Sequence, residues 1–228
     1  MGDTVRRPTG SWTPAVHRLL RALRSAGVRG VPEPLGVDEQ GREILTFLPG
    51  EVGHYPLPGW MWSPSILNDA GSLLRRVHDA SVPLVDCDLE WQMPSRDPRE
   101  VICHNDVAPY NMTFVDGRLT GLFDFDRASP GSRIWDLAYL AYRLVPWGED
   151  AGVAISDEER LSRTGQLIDA YGLPFARDEV LRVMAERLRE LAVFTDGRLR
   201  DTGDSDFAAH AAMYRRDAAG IDAFTGSG

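Results

Sequence analysis

The chain has 228 residues, 43% of them hydrophobic and 26% charged, the balance of an ordinary globular protein long enough to bury a sizeable core. Its formal net charge of −9 argues against nucleic acid as the partner, because phosphate backbones want a basic face; the same acidity suits a cationic small molecule, or solubility alone. No apolar run approaches a bilayer span, no basic-then-apolar leader opens the chain, and two cysteines are too few for a disulfide framework, so the expectation is a reduced, cytoplasmic protein with no membrane partner.

Thr4 to Arg7 reads as one strand ended by Pro8. Thr13-Pro14 reads as a helix start, with Thr13 as N-cap and Pro14 at the first helical position. Val16, Leu19, Leu20 and Leu23 then fall on one stripe, and Gly27 is the stop. Leu35 to Val37 and Glu43 to Phe47 flank Asp38-Glu39-Gln40-Gly41 as a hairpin, and Leu48-Pro49-Gly50 breaks its second strand. Gly53 to Pro64, rich in Pro, Gly and Trp, reads as a packed connector in which Trp60 and Trp62 bury apolar area. Ser65 to Ala80 is a helix with Ile66, Ala70, Leu73, Leu74 and Val77 on one face and a structural His78 near its end. Pro83 to Arg99 has no regular element and is a candidate rim loop with Asp86, Asp88 and Glu90.

Val101 to Ala138 carries the chemistry. It contains CHNDVAPYN, then LFDFD, then WDLA. Val101 to Cys103 is a short apolar strand in which Cys103 reads as a reduced core thiol. Met112 to Val115 and Leu119 to Phe123 flank Asp116-Gly117, a strong hairpin turn signal. That hairpin sets Asn111 before one strand and Asp124 at the end of the other, so both can reach a single ion. Phosphoryl transfer asks for a carboxylate to orient the attacking hydroxyl and for oxygen ligands to a Mg²⁺ ion on the phosphates. Asp106 fits the first task and the pair Asn111 and Asp124 the second. Beyond Ile134 the chain reads as helical, with Leu137, Leu140, Ala141 and Leu144 in one stripe, Ser156 capping Asp157 to Tyr171, and a long amphipathic stretch over Ala176 to Phe194. A polar, acidic run over Thr195 to Ser205 precedes a last helix over Phe207 to Phe224 and a tail over Thr225 to Gly228.

On HxDxxxxN, the strand ending in DxD and the WDLA that follows, the chain resembles the aminoglycoside phosphotransferase and choline kinase superfamily, whose fold is protein-kinase-like. The resemblance spans roughly Asp3 to Phe224 and is specific only in the catalytic segment. It implies an α+β chain, with residues 1–50 as a partial nucleotide-binding lobe and hinge and residues 51–228 as a helical lobe holding the catalytic loop and acceptor pocket. It implies ATP as co-substrate and Mg²⁺ as cofactor, Asp106 as the base, His104 and Asp136 as supports, and Asn111 and Asp124 as metal ligands. Asp126 is either a second metal group or a turn residue. Thr46, Phe47 and Leu48 would meet the adenine ring, and Arg6 or Arg7 would stand where such enzymes place a phosphate-binding lysine. The acceptor would be a small hydroxyl-bearing molecule, aminoglycoside-like or an amino alcohol, its amines met by acids such as Asp150, Asp157, Glu158, Asp196, Asp201 and Asp204.

The sequence departs from that pattern at the start. No Gly-rich strand pair stands before Thr4, and the helix over Pro14 to Ala26 holds neither Glu nor Asp, so the usual lysine–glutamate pair is missing as normally built. Three explanations compete: a start codon placed too late, a minimal nucleotide lobe, or an immunity-type ligand-binding protein that kept the catalytic motif. Weak ATP binding is the expectation for the chain as it stands, as is an exposed sheet edge inviting a homodimer.

Overall fold

A computed structural model describes residues 2–225. Strand β1 (Thr4–Pro8) pairs antiparallel with β3 (Arg42–Thr46) in the register Thr4↔Thr46 to Pro8↔Arg42, and β2 (Pro34–Val37) pairs with the other side of β3. The β2–β3 turn is locally encoded. The Asp38 carboxylate accepts the Gln40 and Arg42 N–H groups at 3.0 and 2.9 Å, and Gly41 takes φ 74°. Helix α1 (Thr13–Ser25) lays the stripe Val16, Leu19, Leu20 and Leu23 into the core. Its N-cap is Trp12 rather than Thr13; the Thr13 hydroxyl instead accepts the Gly10 N–H at 2.9 Å, closing the preceding turn. Gly27, at φ 79°, follows the helix end as expected.

After the 47–50 break, β4 (Glu51–Val52) leaves that sheet and joins a second one, in the order β4-β6-β7 with β6 (Met112–Val115) and β7 (Arg118–Leu122). Gly50 makes the passage feasible: it sits at φ 136°, where a Cβ would lie 2.7 Å from the Phe114 carbonyl oxygen. Asp116 and Gly117, both left-handed at φ 50° and 72°, form the β6–β7 turn. β5 (Val101–Cys103) pairs with β8 (Ser129–Gly131) across the base of the catalytic segment. In the connector Trp62 is half-buried against the core, whereas Trp60 stays 37% exposed with its edge on Phe114.

Helices α2 (Pro64–Ser81), α3 (Arg133–Leu144), α4 (Asp157–Tyr171), α5 (Arg177–Thr202) and α6 (Asp206–Thr225) make up most of the rest. Ser156 caps α4 by accepting the Glu159 N–H at 3.2 Å. Nearly every residue of α3 from Trp135 on is buried, because helices pack against it on several sides. One apolar cluster runs from Val16 and Leu45 through Leu137 to Ile221, so sheet and helices share a core. The polar run from Thr195 does not interrupt α5, which continues to Thr202 and ends at Gly203, φ 71°. Arg198, Leu199 and Arg200 are good helix formers, and α6 packs along the extended part. Of the expected tail, Thr225 closes α6 and residues 226–228 lie outside the described residues. No helix among the described residues is long and apolar enough to cross a membrane.

Candidate active site

The loop after β5 is shaped by a carboxylate from α3. Asp136, with no solvent exposure, accepts the His104 N–H at 2.5 Å and the Asn105 N–H at 2.9 Å, and its other neighbour is His78 Nε2 at 3.1 Å. Burial would raise the Asp136 carboxyl, but first the His78 hydrogen bond, then the electrostatic pull of His78 and Arg187, outweigh it and hold the group below its ordinary value. His104 is equally buried. Its Nε2 donates to the Phe123 carbonyl at 2.9 Å and its Nδ1 accepts the Asp106 N–H at 3.2 Å, which sets one tautomer. Asn105 is held left-handed at φ 63°, its side-chain amide donating to the Arg127 carbonyl and the Ser129 hydroxyl, both at 2.8 Å. His78, Cys103 and Asp136 bring ligand-type atoms within 4.8 Å of one another. All are committed elsewhere: the Cys103 thiol, pushed well up by burial and by Asp136, donates to the Ser132 carbonyl at 3.2 Å, and His78 Nδ1 meets the Tyr171 hydroxyl at 2.7 Å.

Asn111 ties the loop of Asp106 to the residue before Asp124. The Asn111 side-chain N–H donates to the Asp106 carbonyl at 2.8 Å, and its own carbonyl accepts the Phe123 N–H at 2.9 Å, one residue before Asp124. This leaves the Asn111 amide oxygen without a hydrogen-bond partner among the described residues. Asp124 turns left-handed at φ 63°, two residues past the end of β7 rather than on it. The Asp106 carboxylate accepts the Tyr110 hydroxyl at 2.6 Å, and Tyr110 meets the Tyr139 hydroxyl at 2.8 Å. Burial, Tyr139 and Asp106 raise Tyr110 far above its ordinary value, so its proton stays on and the donor role persists.

Arg7 and Arg6, both candidates for phosphate, part company. Arg6 is exposed, 3.7 Å from Asp38 and bonded to the Thr4 hydroxyl, away from the site. Alternation along β1 sends Arg7 the other way. Arg7 lies 3.0 Å from Asp124, pairs also with Asp126, and reaches Glu43 at 3.2 Å. Glu43 is its direct cross-strand partner and is 2% exposed. From α1, His17 Nε2 meets the second Glu43 oxygen at 2.8 Å. Burial works against the Arg7 cation, but Asp126, Asp124 and Glu43 outweigh it and raise the group. Asp126 is raised too, by burial first, with Asp124 and Glu43 adding to it against Arg7. One guanidinium is shared among three carboxylates, so the cluster carries surplus negative charge.

Above this cluster lies a cleft of about 720 Å³, counting its open mouth, lined by Val5, Arg7, Thr46, Phe47, Leu48 and Asp124 among others. All three expected adenine contacts are here. The N–H groups of Thr46 and Phe47 are, however, taken by the Glu33 and Asp3 carbonyls at 3.0 and 2.9 Å. Of the acids expected to meet amines, Asp150 is paired to Arg143 at 3.1 Å, Asp157 to Arg160 at 2.8 Å, and Asp196 to Arg215. Glu43, His17 and Tyr110 were not legible as site residues: a strand glutamate, a helix histidine and a loop tyrosine carry no spacing signal, and only the β1–β3 register could have singled out Glu43.

Residues 84–177, which hold the catalytic loop, the β6–β7 hairpin and the Asp136 brace, match the model of a phosphotransferase enzyme family. Over 184 residues, 75% of this chain and 69% of the relative, the sequence is 32% identical to the trifolitoxin immunity protein of Rhizobium leguminosarum bv. trifolii. The chain belongs to the phosphotransferase enzyme family. Among solved structures, this phosphotransferase-family chain is similar to a putative aminoglycoside phosphotransferase from Ralstonia eutropha (17% identity, TM-score 0.67, covering 94% of this chain and 83% of that one). It is also similar to an amicoumacin kinase solved with AMP-PNP and Ca²⁺ (15% identity, TM-score 0.67, covering 94% and 80%). At such identities the likeness shows the fold, which is protein-kinase-like.

Proposed function

We propose that this phosphotransferase-family protein moves the γ-phosphoryl group of ATP to a hydroxyl of a small molecule. The observation that carries the reading is the Arg7–Asp124 contact of 3.0 Å, which joins the hinge-lined cleft to the catalytic segment across 117 residues of chain. On this reading residues 1–50 are the nucleotide side, with the Leu48 main chain facing adenine because the two preceding amides are taken, and residues 51–228 hold the catalytic loop and acceptor. The donor set fits Mg²⁺: an amide oxygen from Asn111, a carboxylate from Asp124, Asp126 beside it, and uncompensated negative charge. The ion, when bound, neutralises charge on the transferring phosphates.

Asp106 accepts the proton of the attacking hydroxyl as the new O–P bond forms, and ADP leaves with the bridging oxygen. Tyr110 keeps that carboxylate aimed. Arg7 exchanges Asp124 and Asp126 for phosphate oxygens when the nucleotide enters, while Glu43 and His17 keep its stem in place. Purified protein with MgATP and a panel of amino alcohols and aminoglycosides tests this. Asp106→Ala should abolish transfer with an unchanged circular dichroism spectrum, and transfer persisting in that variant would refute the role of Asp106.

A second reading rests on the immunity protein to which the chain is 32% identical: a ligand-binding protein without turnover, acting on the same fold. It requires ligand affinity to be indifferent to Mg²⁺ and to Asp106→Asn, so the same two conditions separate the readings.

A further inference from the structure

β8, residues 93–96 and α5 surround a second cleft of about 620 Å³, counting its open mouth, with Asn105 on its wall. Its lining reverses the charge of the molecule. Arg96, Arg127 and Arg187 face it with a single acid, Glu190, in a chain whose formal net charge is −9. Glu190 is already taken by two Arg96 hydrogen bonds. Arg127 has no carboxylate at ion-pair distance among the described residues; its guanidinium lies 5.3 Å from the Phe194 ring. Arg187 is 6% exposed, its Nε has no hydrogen-bond partner, and it likewise has no paired carboxylate among the described residues. It donates to the Asn105 carbonyl and lies 4.9 Å from the Trp135 ring and 4.3 Å from the Tyr139 ring. The field of Asp136 reaches Arg187 from within the core, but Asp136 is spent on the catalytic loop. A buried cation short of a counterion costs several kcal/mol unless something compensates it.

We infer that this cleft binds the oxyanion of a small amphiphilic ligand, a carboxylate or phosphoryl group attached to an apolar or aromatic body. Planar guanidinium forks match the paired oxygens of such groups. Arg127 supplies the open fork, and Arg96, stacked 3.8 Å from the Trp135 ring, adds a second guanidinium whose pair with Glu190 is solvent-exposed and weak. Arg187 supplies the fixed field. The 44% exposed Phe194 gives the apolar body a surface. The site is independent of phosphoryl transfer, and it touches the loop that carries Asp106.

Calorimetry with phenyl phosphate and benzoate, and with benzylamine as the cation of similar body, tests it in the absence of nucleotide. The two anions should bind and benzylamine should not. Arg127→Ala, at a half-exposed position, should weaken the anions at least tenfold. Arg96→Gln, on the opposite wall, should weaken them too and guards against a folding artefact in the first variant. Arg7→Ala should leave their affinity unchanged. No anion binding up to 10 mM (on the order of the weakest affinity worth a site), equal binding of benzylamine, or binding lost in Arg7→Ala but kept in Arg127→Ala would each overturn the assignment. MgATP titrated in parallel separates the two readings: a failure there with phenyl phosphate still bound removes the proposed activity and leaves this site.

Discussion

Arg6 and Arg7 are neighbours in the chain with opposite surroundings. Strand alternation leaves Arg6 in solvent beside Asp38 and carries Arg7 to Glu43, Asp124 and Asp126. The missing helix acid is thus replaced across the sheet: Glu43 comes from the strand paired with β1, and α1 takes part through His17. Glu43→Gln removes a charge that positions Arg7 while keeping the shape. Calorimetry should show the MgATP Kd rising about tenfold, about 1.4 kcal/mol, with the KM for the acceptor unchanged. Asp136 has the same positioning role for the catalytic loop. Replacing it with Asn leaves two loop N–H groups poorly matched in a dry interior and should lower the unfolding free energy by about 3 kcal/mol in urea titrations. The pH dependence has a definite sign. A carboxyl held below its ordinary value stabilises the fold fully above its unfolded value of about 3.9 and loses that contribution as pH falls toward the lower folded value. Stability measured from pH 7 down to pH 3 should therefore drop in the wild type, and the drop should be shallower in Asp136→Asn.

At the scale of elements, the hairpins and helices follow from short-range chemistry, and the exceptions mark where packing took over. Asp116-Gly117 and Asp38 to Gly41 form the turns their residue types favour, and Ser156 caps α4 as read. Thr13 fails as a cap because its hydroxyl closes the Gly10 turn instead. The α5 helix runs through a polar stretch, and through Gly197, because α6 lies along it. Gly50 is the element-level weak point: both its φ of 136° and the 2.7 Å approach to Phe114 exclude a side chain. Gly50→Ala should cost about 2 kcal/mol or more, read as a lowered Tm. On the proposed function, MgATP bound in the cleft that Gly50 lines should recover part of that loss.

For the whole molecule, two clefts differ in character: one is mostly apolar, with Arg7 and Asp124 as its charged lining, and the other is cationic. The expectation that acids of the helical region would meet an amine fares less well at this scale, since Asp150, Asp157 and Asp196 are each paired to an arginine. One edge of the small sheet, opposite β1, is β2, where Leu35 and Val37 are 51% and 54% exposed. An open, apolar edge of this kind favours strand pairing between copies. Sedimentation equilibrium should detect a concentration-dependent dimer that Leu35→Lys weakens; a strictly monomeric wild type would dispose of that surface as an interface.

By itself the sequence determined what is decided within a few residues of chain: most of the strands and helices, though not β4 or β8, the turns, and the placement of Asp106, Asn111 and Asp124 along one loop and hairpin. These depend on local backbone geometry, which residue type encodes directly. The tertiary structure alone decided which arginine enters the site, that a strand glutamate and a helix histidine hold it there, and that three arginines from a loop, a turn and α5 meet around one cavity. Each of those depends on strand register or on helices packed from distant parts of the chain, where a shift of one residue would turn the same side chain toward water.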